Sequence, residues 1–157
     1  MMKLDSLTHD EWYSILKPYQ RKYIEQLVQI YGEEKTAEIW LTSGGALQTA
    51  RFGGENDSLG DRKDYWRRFK IEFDKFICGH PDYSEARKKA SQQAGSIGLI
   101  AIPIISSEIA ASVGISHVII VPAVVLLLNV ASKVGVRAYC ANKRFADDGG
   151  ADQLDTR

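Results

Sequence analysis

Cysteine is scarce in this chain: Cys78 and Cys140 stand alone, about sixty residues apart. No CxxC pair occurs, which excludes a four-cysteine metal knuckle and the dense disulfide framework of a small secreted scaffold. Two isolated cysteines of this kind predict a reducing compartment. Neither sign of charge is in excess, with 20 basic and 20 acidic residues, so the overall electrostatic footprint of a nucleic-acid binder is lacking. The phosphate-cradling pattern GxxxxGK[ST] is missing. No Arg stands four to six residues before a His, the spacing of HEPN-type ribonucleases. The first residues carry Lys3 and Asp5 and lead into polar sequence, without the apolar segment of a cleavable signal peptide. No cofactor signature is present, and no enzyme motif is found.

What is present is an ordinary globular composition, 45% hydrophobic and 25% charged, over 157 residues. That length suits one compact unit and argues against a disordered or collagen-like chain. Thr8 and Glu11 form a capping-box pattern that predicts a helix start. Trp12, Ile15, Leu16, Tyr19, Tyr23, Leu27 and Ile30 recur at three- and four-residue steps, which predicts one buried helical face. Pro18 either kinks that helix or opens a second one. Gly32 reads as a stop, and Glu33 to Leu41 as a further short helix. Five glycines between Gly44 and Gly60 predict a long connection. Tyr65, Phe69, Phe73 and Phe76 then mark an amphipathic helix from about Asp61 to Ile77, broken by Gly79, His80 and Pro81.

Charge disappears after Lys89. Apart from Glu108 it does not return until Lys133, leaving uncharged windows of 18 residues (Ala90 to Ser107) and 24 residues (Ile109 to Ser132). A membrane helix needs about 20 mostly apolar residues, so the second window qualifies and the first is marginal. With Gly114, Ser116 and His117 as a turn, the windows predict a helical hairpin, Ser96 to Val113 and Ser116 to Val134. The fold class expected is therefore all-α. It comprises an amphipathic helical domain over residues 1–90, a hydrophobic hairpin over 91–136 that inserts as two membrane helices, and a basic then acidic tail over 137–157. The apolar stretch is expected to exceed what the leading helices can cover, a domain this size burying roughly 68–70% of its unfolded surface. Lipid or sister copies would shield the rest. The alternative is a soluble all-α interaction or regulatory domain whose hairpin is its core or an oligomer interface.

Within the hairpin, Glu108 is the residue with most functional content, because an ionisable group in an apolar window usually faces a bundle interior or a pore. Ser106, Ser107, Pro103, Pro122 and Asn129 are the other membrane or pore candidates. Arg67, Arg68, Lys88, Lys89, Lys133 and Arg137 are the expected membrane-surface cations, and their placement on both flanks predicts cytoplasmic termini at an inner, cytoplasmic membrane. The partners expected are a lipid bilayer, further copies of the chain and a regulatory protein, with nucleic acid unlikely. This layout suits permeabilisation of a membrane under control of the leading domain, as toxin-like and phage-defence effectors act, and Leu127→Arg is expected to abolish membrane fractionation. Cys78, His80, Asp82 and Glu85 crowd one turn, but no second ligand pair exists for a metal. A Cys78 nucleophile with His80 as its base is the weakest reading.

Overall fold

The computed structural model describes residues 4–5, 7–43, 59–91 and 98–143, and its secondary structure is helical. Helix α1 (His9–Tyr13) starts with the expected capping box: the Glu11 N–H donates to Thr8 Oγ1 at 3.1 Å and the Thr8 N–H to Glu11 Oε1 at 2.8 Å. Pro18 occupies the first turn of α2 (Pro18–Tyr31), where its missing N–H costs nothing. The four residues between these helices reset the helical phase. In consequence α2 buries Gln20 and Ile24, while Tyr19 and Ile30 remain 59% and 71% exposed, so the single stripe read across Pro18 holds at Trp12 and Leu16 and, partly buried, at Tyr23, but not at Tyr19 or Ile30.

Gly32 ends α2 at φ +84° and opens α3 (Glu33–Thr42). Helix α4 (Leu59–Ile77) buries Phe69, Phe73, Phe76 and Ile77, the face expected from their spacing. A 3-10 turn at Pro81–Tyr83 leads into α5 (Ser84–Ser91). A second 3-10 turn, Leu99–Ala101, precedes α6 (Ile102–Val113). Gly114 closes α6 in the left-handed conformation that only glycine adopts without strain, and Ser116 accepts from the Val118 N–H to cap α7 (His117–Val134). Helix α8 (Val136–Cys140) follows, with no buried residue of its own.

Helix α7 lies at the centre. It packs chiefly on α3 and α6, with α1 and α8 also against it, while α4 joins α3 and α6. Val124, Val125, Leu126, Leu127 and Leu128 are wholly buried, each contributing about 1.5–3 kcal/mol of burial free energy. The leading helices therefore cover the middle of the oily run, contrary to the expectation that it outgrows them. Trp12, Trp40, Phe69 and the hairpin's Ile105 and Leu127 belong to one apolar cluster. The Gly44 to Gly60 connection, apart from the first residues of α4, and the tail from residue 144 lie outside the described residues.

Candidate functional site: the apolar hairpin and its anchors

The expected hairpin is present as a pair of antiparallel helices, but its arms are unequal. Helix α7 has 18 residues and is the one described helix long and apolar enough to cross a membrane; at 1.5 Å per residue it measures about 27 Å. Helix α6 has 12 residues, about 18 Å against a hydrocarbon thickness of about 30 Å. Two membrane-crossing arms are thus not what the described helices provide, and the reason is local: regular helix begins only at Ile102, after the 3-10 turn.

The positions that α6 and α7 leave uncovered are also short of charge. Ile100 is 68% and Val118 50% exposed, and Pro103, Ser107, Ala111, Ser112, Gly114 and Ser116 are exposed beside them. Along α7, Ile119, Val121 and Val130 are only partly covered. Glu108 is half-buried on α6 and is the single carboxylate of that arm. Ser106 is wholly buried, and its hydroxyl has no hydrogen-bond partner among the described residues. Pro103 sits in the first turn of α6, where it favours helix initiation, whereas Pro122 lies buried inside α7.

Three polar arrangements hold α7 and α8 in place. Near the start of α7, the Trp40 indole N–H donates to the Ile119 carbonyl at 2.8 Å. Near its end, Glu33 Oε2 accepts from the Asn129 amide at 3.4 Å and from Lys133 Nζ at 2.8 Å. Asn129 and Lys133, two of the expected membrane-facing residues, are thereby brought together on a carboxylate of α3. Beyond α7, buried Asp74 accepts from the Tyr139 hydroxyl at 2.6 Å and from Lys70 Nζ at 3.0 Å, and Lys143 Nζ lies 3.5 Å from it. Both ammonium groups also lie over the Tyr139 ring, at 5.3 and 4.5 Å from its centre. Burial first, then the Asp74 charge and hydrogen bond, raise the Tyr139 phenol well above its ordinary range. Burial lowers Lys143, opposed by the attraction of Asp74.

Covalent closure comes from Cys78 and Cys140, which form a disulfide with Cα atoms 5.6 Å apart. This corrects the reading of two unpaired cysteines and removes Cys78 as a nucleophile. The signal was invisible in sequence because the fold, not the spacing, joins the end of α4 to α8. His80 is nearly buried, and its Nδ1 accepts from the Asp82 N–H at 3.1 Å to cap the 3-10 turn. Arg87 donates to the Lys75, Phe76 and His80 carbonyls, closing the end of α4, and burial lowers its pKa. The crowded turn is therefore built for capping.

The expected surface cations are dispersed. Arg67 and Arg68 both pair with Asp64 on α4, and Lys88 lies 3.8 Å from Glu85 on α5. Lys89 and Arg137 are exposed on α5 and α8. A cluster that sequence reading missed joins His9, Asp10 and Glu25, whose donor atoms lie within 4.8 Å of one another. Arg21 already bridges it, at 2.7 Å from Asp10 and 2.8 Å from Glu25. Comparison with protein-family models, with curated proteins and with solved structures gives no match.

Proposed function

We propose that this chain is a membrane-associated helical protein that perturbs a bilayer through its α6–α7 hairpin, with α1 and α3 controlling access to α7. The observation that supports this reading is the chemistry of the uncovered positions. A core helix of a water-soluble domain usually turns charged or polar residues to solvent, yet here the outward positions from Ile100 to Val121 are mostly apolar or small, with Glu108 the one Asp, Glu, Lys or Arg among them and His117 exposed at the start of α7. Such a surface suits lipid better than water. Trp40, Glu33 and Asn129 are the groups that would have to let go before α7 could leave its sheath, so the leading helices act as the regulatory part.

Flotation with phospholipid vesicles tests the reading. The purified chain is expected to float with the vesicles, and Val118→Arg to reduce that fraction while leaving helix content unchanged. A chain that remains wholly in the aqueous fraction, with and without anionic lipid, defeats it.

The complete burial of Val124 to Leu128 favours a second reading, a soluble interaction or regulatory domain in which α7 is only the core. Under that reading, Val118→Arg changes association with a protein partner or a second copy, and vesicles have no effect.

A further inference from the structure

The Cys78–Cys140 bond turns the chain between these residues into a covalently closed ring containing α5, α6 and α7. A closed ring passes through a sheet an even number of times. With the disulfide intact, α7 therefore cannot cross a bilayer alone; another part of the same ring must cross with it. Among the described residues of the ring, α7 is the one helix of sufficient length and apolarity. Helix α6 is about 18 Å long and carries Glu108, whose charge makes mid-bilayer placement costly.

We propose that the disulfide is a redox lock on the way α7 enters a membrane, an inference that rests on the membrane reading above. Oxidised, the ring confines the hairpin to the bilayer surface. Opened, it lets α7 cross as a single span and places residues 78 and 140 on opposite sides. The geometry suits such a lock: α8 has no fully buried residue, and besides the disulfide it is held by partly buried Val136 and Tyr139 against the core, by the Tyr139 hydroxyl on Asp74 and by the edge contact of Tyr139 on Phe73. Both cysteines are partly exposed. Opening needs a dithiol: its thiolate attacks one sulfur, the S–S bond breaks, and the second thiol displaces the mixed disulfide. Cys78 and Cys140 become thiols, taking up two electrons and two protons, and the dithiol becomes a cyclic disulfide.

The single variants Cys78→Ser and Cys140→Ser each open the ring and leave one thiol as a reporter. Circular dichroism first establishes that both keep the helix content of the parent in solution, and a membrane-impermeant maleimide labels each thiol without vesicles. After incubation with vesicles containing anionic phospholipid, Cys78 is expected to stay reactive in Cys140→Ser. Cys140, in Cys78→Ser, is expected to lose reactivity until detergent is added. If both variants float with the vesicles and both thiols label equally without detergent, the lock is overturned and the membrane reading stands. If neither the oxidised parent nor the variants float, both fall together.

Discussion

The indole N–H of Trp40 on α3 donates to the Ile119 carbonyl on α7 at 2.8 Å, in the turn just before Pro122. Proline supplies no N–H to the helix ladder and weakens the turn behind it. Trp40 thus braces α7 at its weakest point from outside. Trp40→Phe keeps most of the apolar contact but removes the donor, and is expected to lower unfolding stability by about 1–3 kcal/mol. Chemical denaturation followed by circular dichroism measures it; an unchanged midpoint would show that the brace contributes nothing.

Glu33 is shared by Asn129 and Lys133, and the two contacts differ in weight. Lys133 is largely exposed, so water screens its pairing, whereas Asn129 is buried and loses an acceptor for its amide without Glu33. Glu33→Ala is expected to cost about 1–3 kcal/mol, and the double variant with Asn129→Leu less than the two single losses added together. A double-mutant cycle from urea unfolding reads the coupling. Simple additivity would mean that Asn129 and Glu33 act independently.

The parts of this architecture that were legible in sequence are those fixed by local rules. Thr8 with Glu11, the Phe69, Phe73 and Phe76 face, and the Gly114 and Ser116 turn each carry their signal within one or two helical turns. The phase of α2 was lost because a four-residue break at Pro18 happens to preserve an apparent apolar spacing. The hairpin was visible as a composition change, but whether Val124 to Leu128 meet lipid or protein depends on α1 and α3, more than eighty residues away. The same holds for the site. Asn129 and Lys133 read as membrane residues from their own neighbourhood, whereas their partner Glu33 carries no mark in its own, and the Cys78–Cys140 pair exists only once α4 and α8 meet.

Alkaline pH should open the fold. Burial is the main cause that raises Tyr13, Tyr83 and Tyr139 above their ordinary range, aided by Glu33 at Tyr13, Glu72 at Tyr83 and Asp74 at Tyr139. Below about pH 10 the phenols are protonated in both states and their contribution is fully present. Above it the unfolded chain releases protons that the folded chain retains, so stability falls by up to about 1.4 kcal/mol per pH unit for each tyrosine. Lys143 acts in the opposite sense: its lowered pKa makes the unfolded state bind more protons below the ordinary lysine range, so rising pH favours folding until that range is passed. The tyrosines outnumber it. Ionisation of these three tyrosines is expected to accompany loss of helix, and Tyr139→Phe to make the alkaline transition shallower. Titration of all the tyrosines before any loss of helix would contradict the assignment.

Leu127→Arg and Ile100→Arg separate packing from surface chemistry. Leu127 is wholly buried among α7's neighbours, whereas Ile100 is 68% exposed at the start of the hairpin. An arginine at Leu127 has to bring an unpaired charge into the core or expel α7 from it, and the loss is expected to exceed about 4 kcal/mol, enough to unfold the chain. The membrane effect first expected of Leu127→Arg would therefore come from loss of the fold. At Ile100 the charge points into solvent, so stability should move by no more than about 0.5 kcal/mol, while vesicle binding falls if this face meets lipid. Thermal unfolding and flotation on the same two preparations distinguish the cases. A folded Leu127→Arg would show that α7 is held more loosely than its burial implies, and an Ile100→Arg that floats as well as the parent would place the lipid contact elsewhere.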